Sequence, residues 1–124
     1  MSGEPFPKAS QLARGERRYR RKVAAPKQWQ TIIAAKGSTC RLANSACEGG
    51  IEYHHLVRRG APYFGDDLAD NIVPLCELHH RNVTQGRPRS NRERLAASLS
   101  DAEYAYVIGK LGEGGMERLF GVAR

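Results

Sequence analysis

At 124 residues the chain is long enough for one compact domain but not comfortably for two, and with 7% aromatics its core is small. No stretch approaches a membrane span, the start MSGEPFPKAS carries no basic-then-apolar export pattern, and three cysteines are an odd number. These features argue against membrane insertion and a disulfide framework, and for a reducing, cytoplasmic location.

The net charge of +7 is uneven, because residues 1–36 hold nine Lys/Arg against two acids and the remainder balances. Residues 1–26 read as a flexible basic arm, broken by Pro5, Pro7 and Pro26. Arg14, Arg17, Arg18, Arg20, Arg21 and Lys22 lie at its centre, with Tyr19 interleaved. Arginine of that density suits a polyphosphate backbone, so nucleic acid is the expected partner.

Residues 27–86 follow as the expected core domain. In KQWQTIIAAKG, Trp29, Ile32, Ile33 and Lys36 keep helical spacing and Gly37 is a natural stop. Cys40 and Cys47 flank a loop that Gly49 and Gly50 close. IEYHHLV reads as a strand, RRGAPYFGDDLADN as a long polar connection, IVPLC as a second extended piece, and ELHHRNVTQG as a helix ending at Gly86. Asp66, Asp67 and Asp70 read as a solvated acidic loop. Residues 87–124 form an expected helical extension. The pairs Ser90 with Glu93 and Ser100 with Glu103 predict two capping boxes. Tyr104, Val107, Ile108 and Leu111 predict the packing stripe of the later helix, stopped by Gly112.

All three cysteines and all four histidines fall between Cys40 and His80. Seven such donors suffice for one closed structural zinc site and one open catalytic site. Cys40 and Cys47 supply one pair, although six intervening residues are more than a knuckle usually has. Cys76 and His79 supply the other from one turn of helix. His80 is equally within reach as the fourth ligand, because i+3 and i+4 share a face.

The string EYHHLVRRG…DNIVPLCELHHRN resembles the HNH endonucleases, the ββα-metal nucleases. Asn71 lies sixteen positions after His55, and His80 nine positions after Asn71, as that pattern asks. The resemblance covers roughly residues 38–85. It implies an α+β fold: a small ββα-metal core stapled by a Cys3His zinc site, with flanking helices and the basic arm. It also implies metal-dependent hydrolysis of phosphodiester bonds in DNA. His54 and His80 would hold a catalytic divalent ion, with Mg²⁺ or Mn²⁺ completed by water and phosphate oxygens. His55 would be the general base, oriented through a backbone carbonyl, and Asn71 would bridge loop and strand to fix it. Arg58, Arg59 and above all Arg81 could clamp phosphates. Some relatives carry a further His four residues after the helix His, where this chain has Thr84. Chain length and compactness are similar to nucleases of phages and mobile elements, which would act in the host cytoplasm; monomer and homodimer both stay open. The competing expectation is a zinc-stabilised module that binds nucleic acid without cutting it.

Overall fold

The computed structural model describes residues 21–122. They form five α-helices and one antiparallel pair of strands, an α+β arrangement. No helix among them is long and apolar enough to cross a membrane.

Helix α1 spans Pro26–Lys36. Pro26 opens this helix at its first turn, where a missing N–H costs nothing, and does not serve as a breaker. The Ala25 N–H donates to Oε1 of Gln28 at 2.7 Å, and Gly37, at φ 77°, closes the helix by donating to the Ile33 carbonyl. Ile32 is buried, Trp29 partly so, and Lys36 turns inward, whereas Ile33 lies 40% exposed. Positions 29, 32 and 36 share one helical face, and Ile33 sits about 100° from Ile32 around the axis. The expected apolar face is therefore narrower than the sequence suggested.

Strands β1 (Ile51–His55) and β2 (Ile72–Cys76) pair with Ile51 opposite Cys76 and His55 opposite Ile72. All five β2 residues are buried, which explains the unbroken apolar run of IVPLC. Pro74 cannot donate to a ladder. Its carbonyl points away from β1 and accepts from the Arg41 N–H at 2.8 Å, so the Cys40 loop covers that edge of the sheet.

Helix α2 (Glu77–Gln85) begins directly after β2, with Gly86 as its left-handed cap at φ 73°. Helices α3 (Arg89–Ser98), α4 (Asp101–Leu111) and α5 (Gly115–Phe120) follow. The core joins Leu42, Leu56, Val57, Val73, Leu75, Leu95, Val107, Met116 and Phe120, with Tyr104, Ile108 and Leu111 packed against it as the stripe requires.

The two expected capping boxes differ. At α4 the Glu103 N–H donates to Oγ of Ser100 at 3.1 Å while the Ser100 N–H donates to Oε1 of Glu103 at 2.8 Å. At α3 the helix starts before Ser90, with Pro88 in the cap position and no side-chain cap. Ser90 is thus inside the first turn and cannot cap it. Helix α5 was not anticipated; its signal was the spacing of Met116, Leu119 and Phe120, too short to read alone.

Candidate functional site

The Cys40 loop, the end of β2 and the first turn of α2 converge on four soft donors. The ligand atoms of Cys40, Cys47, Cys76 and His79 all lie within 4.8 Å of one another, so the group could hold a metal ion. Metal–sulfur bonds of about 2.3 Å and metal–nitrogen bonds of about 2.0 Å in a tetrahedron place S and N about 3.5 Å apart. Nδ1 of His79 lies 3.5 Å from Sγ of Cys40, 3.5 Å from Sγ of Cys47 and 3.2 Å from Sγ of Cys76. That spacing and the donor chemistry are consistent with structural zinc, and they select His79 over His80. The wide first pair is accommodated by two successive turns, closed by Ala43 N–H to the Cys40 carbonyl and Cys47 N–H to the Asn44 carbonyl.

Local electrostatics differ among the donors. Burial pushes the Cys40 thiol up. At Cys76 burial also raises it, but hydrogen bonds with the backbone of His79 and Glu48 outweigh that and push the thiol down. The His79 N–H, at the start of α2, donates to Sγ of Cys76 at 3.4 Å. His79 itself is held neutral by burial and by Arg94 nearby, which is the form that can offer a lone pair. Gly49 permits the approach of α2 to this loop: at φ 83°, a Cβ there would lie 2.3 Å from Oε2 of Glu77.

His80 points elsewhere. Its ring lies 5.1 Å from that of His54, centroid to centroid, across the gap between α2 and β1. Glu52, two residues before His54 and on the same strand face, places Oε1 2.7 Å from Nδ1 of His80. A carboxylate there favours the Nδ1–H tautomer and leaves Nε2 with its lone pair. Burial, then the neighbouring His80 and His55, pushes His54 down to about 3, so it is a neutral imidazole at physiological pH.

His55 follows the alternation of a strand and turns the other way, toward α1 and the 56–71 loop. Its ring meets Trp29 edge-on at 5.9 Å, and Nε2 lies 2.8 Å from Oδ1 of Asp67. The orienting partner is therefore a carboxylate and not the backbone carbonyl expected. Burial lowers the His55 pKa further than Asp67 raises it. His54, His55 and His80 nevertheless border one cleft of about 480 Å³, together with Arg58, Arg59, Thr84 and Arg92. Arg58 also lies over the Tyr63 ring at 5.4 Å. Arg81 is exposed beside a smaller hollow next to Glu52 and His80.

Asn71 is fully buried and uses its whole amide. Oδ1 accepts from the Val57 N–H at 2.7 Å, and Nδ2 donates to the carbonyls of Val57 at 3.0 Å and Asp66 at 2.9 Å. Its own carbonyl accepts from Leu56 N–H at 2.8 Å. Asn71 thereby ties the loop to the chain leaving β1, directly after His55. Gly65 is required beneath it, because a Cβ there would lie 1.7 Å from the Val57 carbonyl oxygen.

Asp66 and Asp67 are buried and do not form the solvated loop expected; only Asp70 is exposed. Asp66 binds the hydroxyl of Tyr106, Nζ of Lys110 and the Lys22 N–H, while Asp67 binds His55, Arg21 and the Ala24 N–H. Nothing in the local pattern marks these carboxylates as buried, since their partners lie 12 to 46 residues away. Residues 21–25, read from sequence as the end of a flexible arm, are consequently laid against the loop. Arg14, Arg17, Arg18 and Arg20 lie outside the described residues. Comparisons of the chain with protein-family models, curated proteins and solved structures found no match.

Proposed function

We propose that this chain is a divalent-metal-dependent DNA endonuclease of the HNH, ββα-metal kind. β1, β2 and α2 would be its catalytic unit, and zinc on Cys40, Cys47, Cys76 and His79 its staple. The observation that carries the reading is the facing pair His54 and His80, 5.1 Å apart and outside the Cys3His group, on a cleft flanked by Arg58, Arg59 and Arg92. Zinc folding needs four donors; it gives no reason for two more imidazoles to face each other beside arginines.

The residues present fit a second, open cation site. His54 is neutral, and Glu52, paired with Nδ1 of His80, leaves the lone pair of that ring on Nε2. When bound there, Mg²⁺ or Mn²⁺ would neutralise charge growing on the phosphoryl and leaving oxygens of a scissile diester. His55 takes the proton of the attacking water, and its lowered pKa keeps it unprotonated and receptive near neutral pH. Asn71 does no chemistry; it holds the backbone beyond His55. Arg58 and Arg59 contact phosphates on either side of the break, and the basic arm adds sequence-independent attraction to the duplex.

Only two imidazoles are offered to the second cation, and Thr84 is not a strong ligand for it. That thinness favours the alternative, a zinc-stabilised module that binds nucleic acid without cutting. A panel of linear, supercoiled, single-stranded and four-way-junction DNA separates the two. The nuclease reading predicts cleavage when Mg²⁺ or Mn²⁺ is added to zinc-loaded protein and none without it. Binding with no cleavage under any divalent ion would establish the alternative.

A further inference from the structure

The Asp67 carboxylate stands out among the buried acids. Its side chain is 1% exposed, yet it belongs to no metal-ligand group among the described residues. A buried carboxylate is tolerated only when its lone pairs are used. Oδ2 accepts from the Ala24 N–H at 2.9 Å, and Oδ1 faces both the Arg21 guanidinium and Nε2 of His55. The backbone around it is fixed as well. The Asp67 N–H donates to the Lys22 carbonyl at 2.8 Å, Nε of Arg21 donates to the Gly65 carbonyl at 2.7 Å, and Asn71 holds the Asp66 carbonyl. The foot of the basic arm, the loop and β1 therefore meet at this one group.

We propose that Asp67 is the positioning residue of His55: it fixes the ring in its Nε2–H tautomer and so makes Nδ1 the atom that accepts a proton. The proposal rests on the nuclease reading for its purpose, but not for its geometry. An ionised carboxylate can only accept hydrogen bonds. Burial raises the Asp67 pKa, but the Ala24 N–H, His55 and Arg21 outweigh it and hold the group below its ordinary value. Nε2 of His55 must then be the donor in the 2.8 Å contact, and the lone pair of the ring is left on Nδ1. Arg21 keeps the carboxylate charged inside the fold, so that the last residues of the arm form part of the support of the candidate base. Asp67 touches neither substrate nor cation in this arrangement; it acts through His55.

The test is the tautomer of His55, read from long-range ¹H–¹⁵N correlations of ¹⁵N-histidine-labelled, zinc-loaded, full-length protein above pH 7.5. The wild-type protein is expected to show the Nε2–H pattern, and the Nδ1–H pattern would overturn the proposal even before any variant is made. In Asp67→Asn the amide can donate as well as accept, so the fixed tautomer should be lost; an unchanged Nε2–H pattern in folded, zinc-replete variant would equally overturn it. Cleavage by Asp67→Asn should fall at least tenfold in kcat with KM for DNA within twofold. Equal losses in kcat and KM would show a disrupted binding surface and refute the positioning role. If the wild-type protein does not cleave DNA, the nuclease reading fails, while the tautomer measurement still decides what Asp67 does.

Discussion

Asn71 illustrates how much a single buried amide can carry. Its three side-chain hydrogen bonds satisfy both backbone groups of Val57 and the carbonyl of Asp66. Asn71→Ala strands those groups in the interior, at about 1–3 kcal/mol for each donor or acceptor left without a partner. We expect a loss of about 3 kcal/mol in urea unfolding, and a loss below about 0.5 kcal/mol would contradict the tie between loop and strand. The resemblance implied that Asn71 bridges loop and strand, and its hydrogen bonds do join the loop to Val57, two residues beyond His55. The partner of His55 was not legible. Asp67 lies in an acidic run that reads as solvated, and only its long-range contacts with Arg21 and Ala24 make it a buried acceptor.

At the level of elements, two devices bear on how the helices are held. The first is the Cys3His group, which would tie α2 and the Cys40 loop to β2 once zinc is bound. Structural zinc supplies about 10–16 kcal/mol of binding energy, comparable with the whole stability of a small domain, about 5–15 kcal/mol. Removing the metal, or changing Cys76→Ser, should therefore abolish cooperative unfolding, with loss of near-ultraviolet circular dichroism. A metal-free chain that stays folded would show that the cysteines act only as small apolar residues.

The second device is the cap of α4. Glu103 is 1% exposed and closes the cap of Ser100 while pairing with Arg41 from the Cys40 loop and Lys36 from the end of α1. Burial alone would raise its pKa, but Arg41, Lys36 and the Ser100 N–H bring it from 4.5 down to about 2. The unfolded chain takes up this proton first as the pH falls. The stabilisation is full above about pH 4.5 and fades as the pH drops towards 2. Glu103→Gln should lower stability at pH 7 by about 3 kcal/mol, as for other broken buried pairs. Its deficit relative to the wild-type protein should shrink between pH 4.5 and 2; a deficit constant across that window would contradict the assignment. From sequence the capping box was readable, because it is local. The clamp by Arg41 and Lys36 was not, because it joins residues 62 and 67 apart.

For the whole molecule, the order of elements was largely legible. Helical spacing found α1 and α4, the stop at Gly86 bounded α2, and short runs rich in Ile and Val found β1 and β2. The six-residue α5 was missed, and α3 was found but misplaced at its start, which lies at Arg89 without the cap that Ser90 promised. The sequence grouped the seven Cys and His residues and left one choice open, since spacing made His79 and His80 equivalent as the fourth zinc ligand. Packing divides them: the buried His79 turns to the cysteines, and His80 turns to His54 and Glu52. The proposed activity depends on that division, with one closed group that staples the fold and one open pair on an arginine-flanked cleft.

The most direct measurement is cleavage of supercoiled plasmid by His55→Ala protein that retains one equivalent of zinc, with Mg²⁺ or Mn²⁺ supplied. A general base contributes about 10²–10⁴-fold, so the variant should cut at least about a hundred times more slowly than the wild-type protein while binding DNA equally well. Cleavage at the wild-type rate would contradict the account.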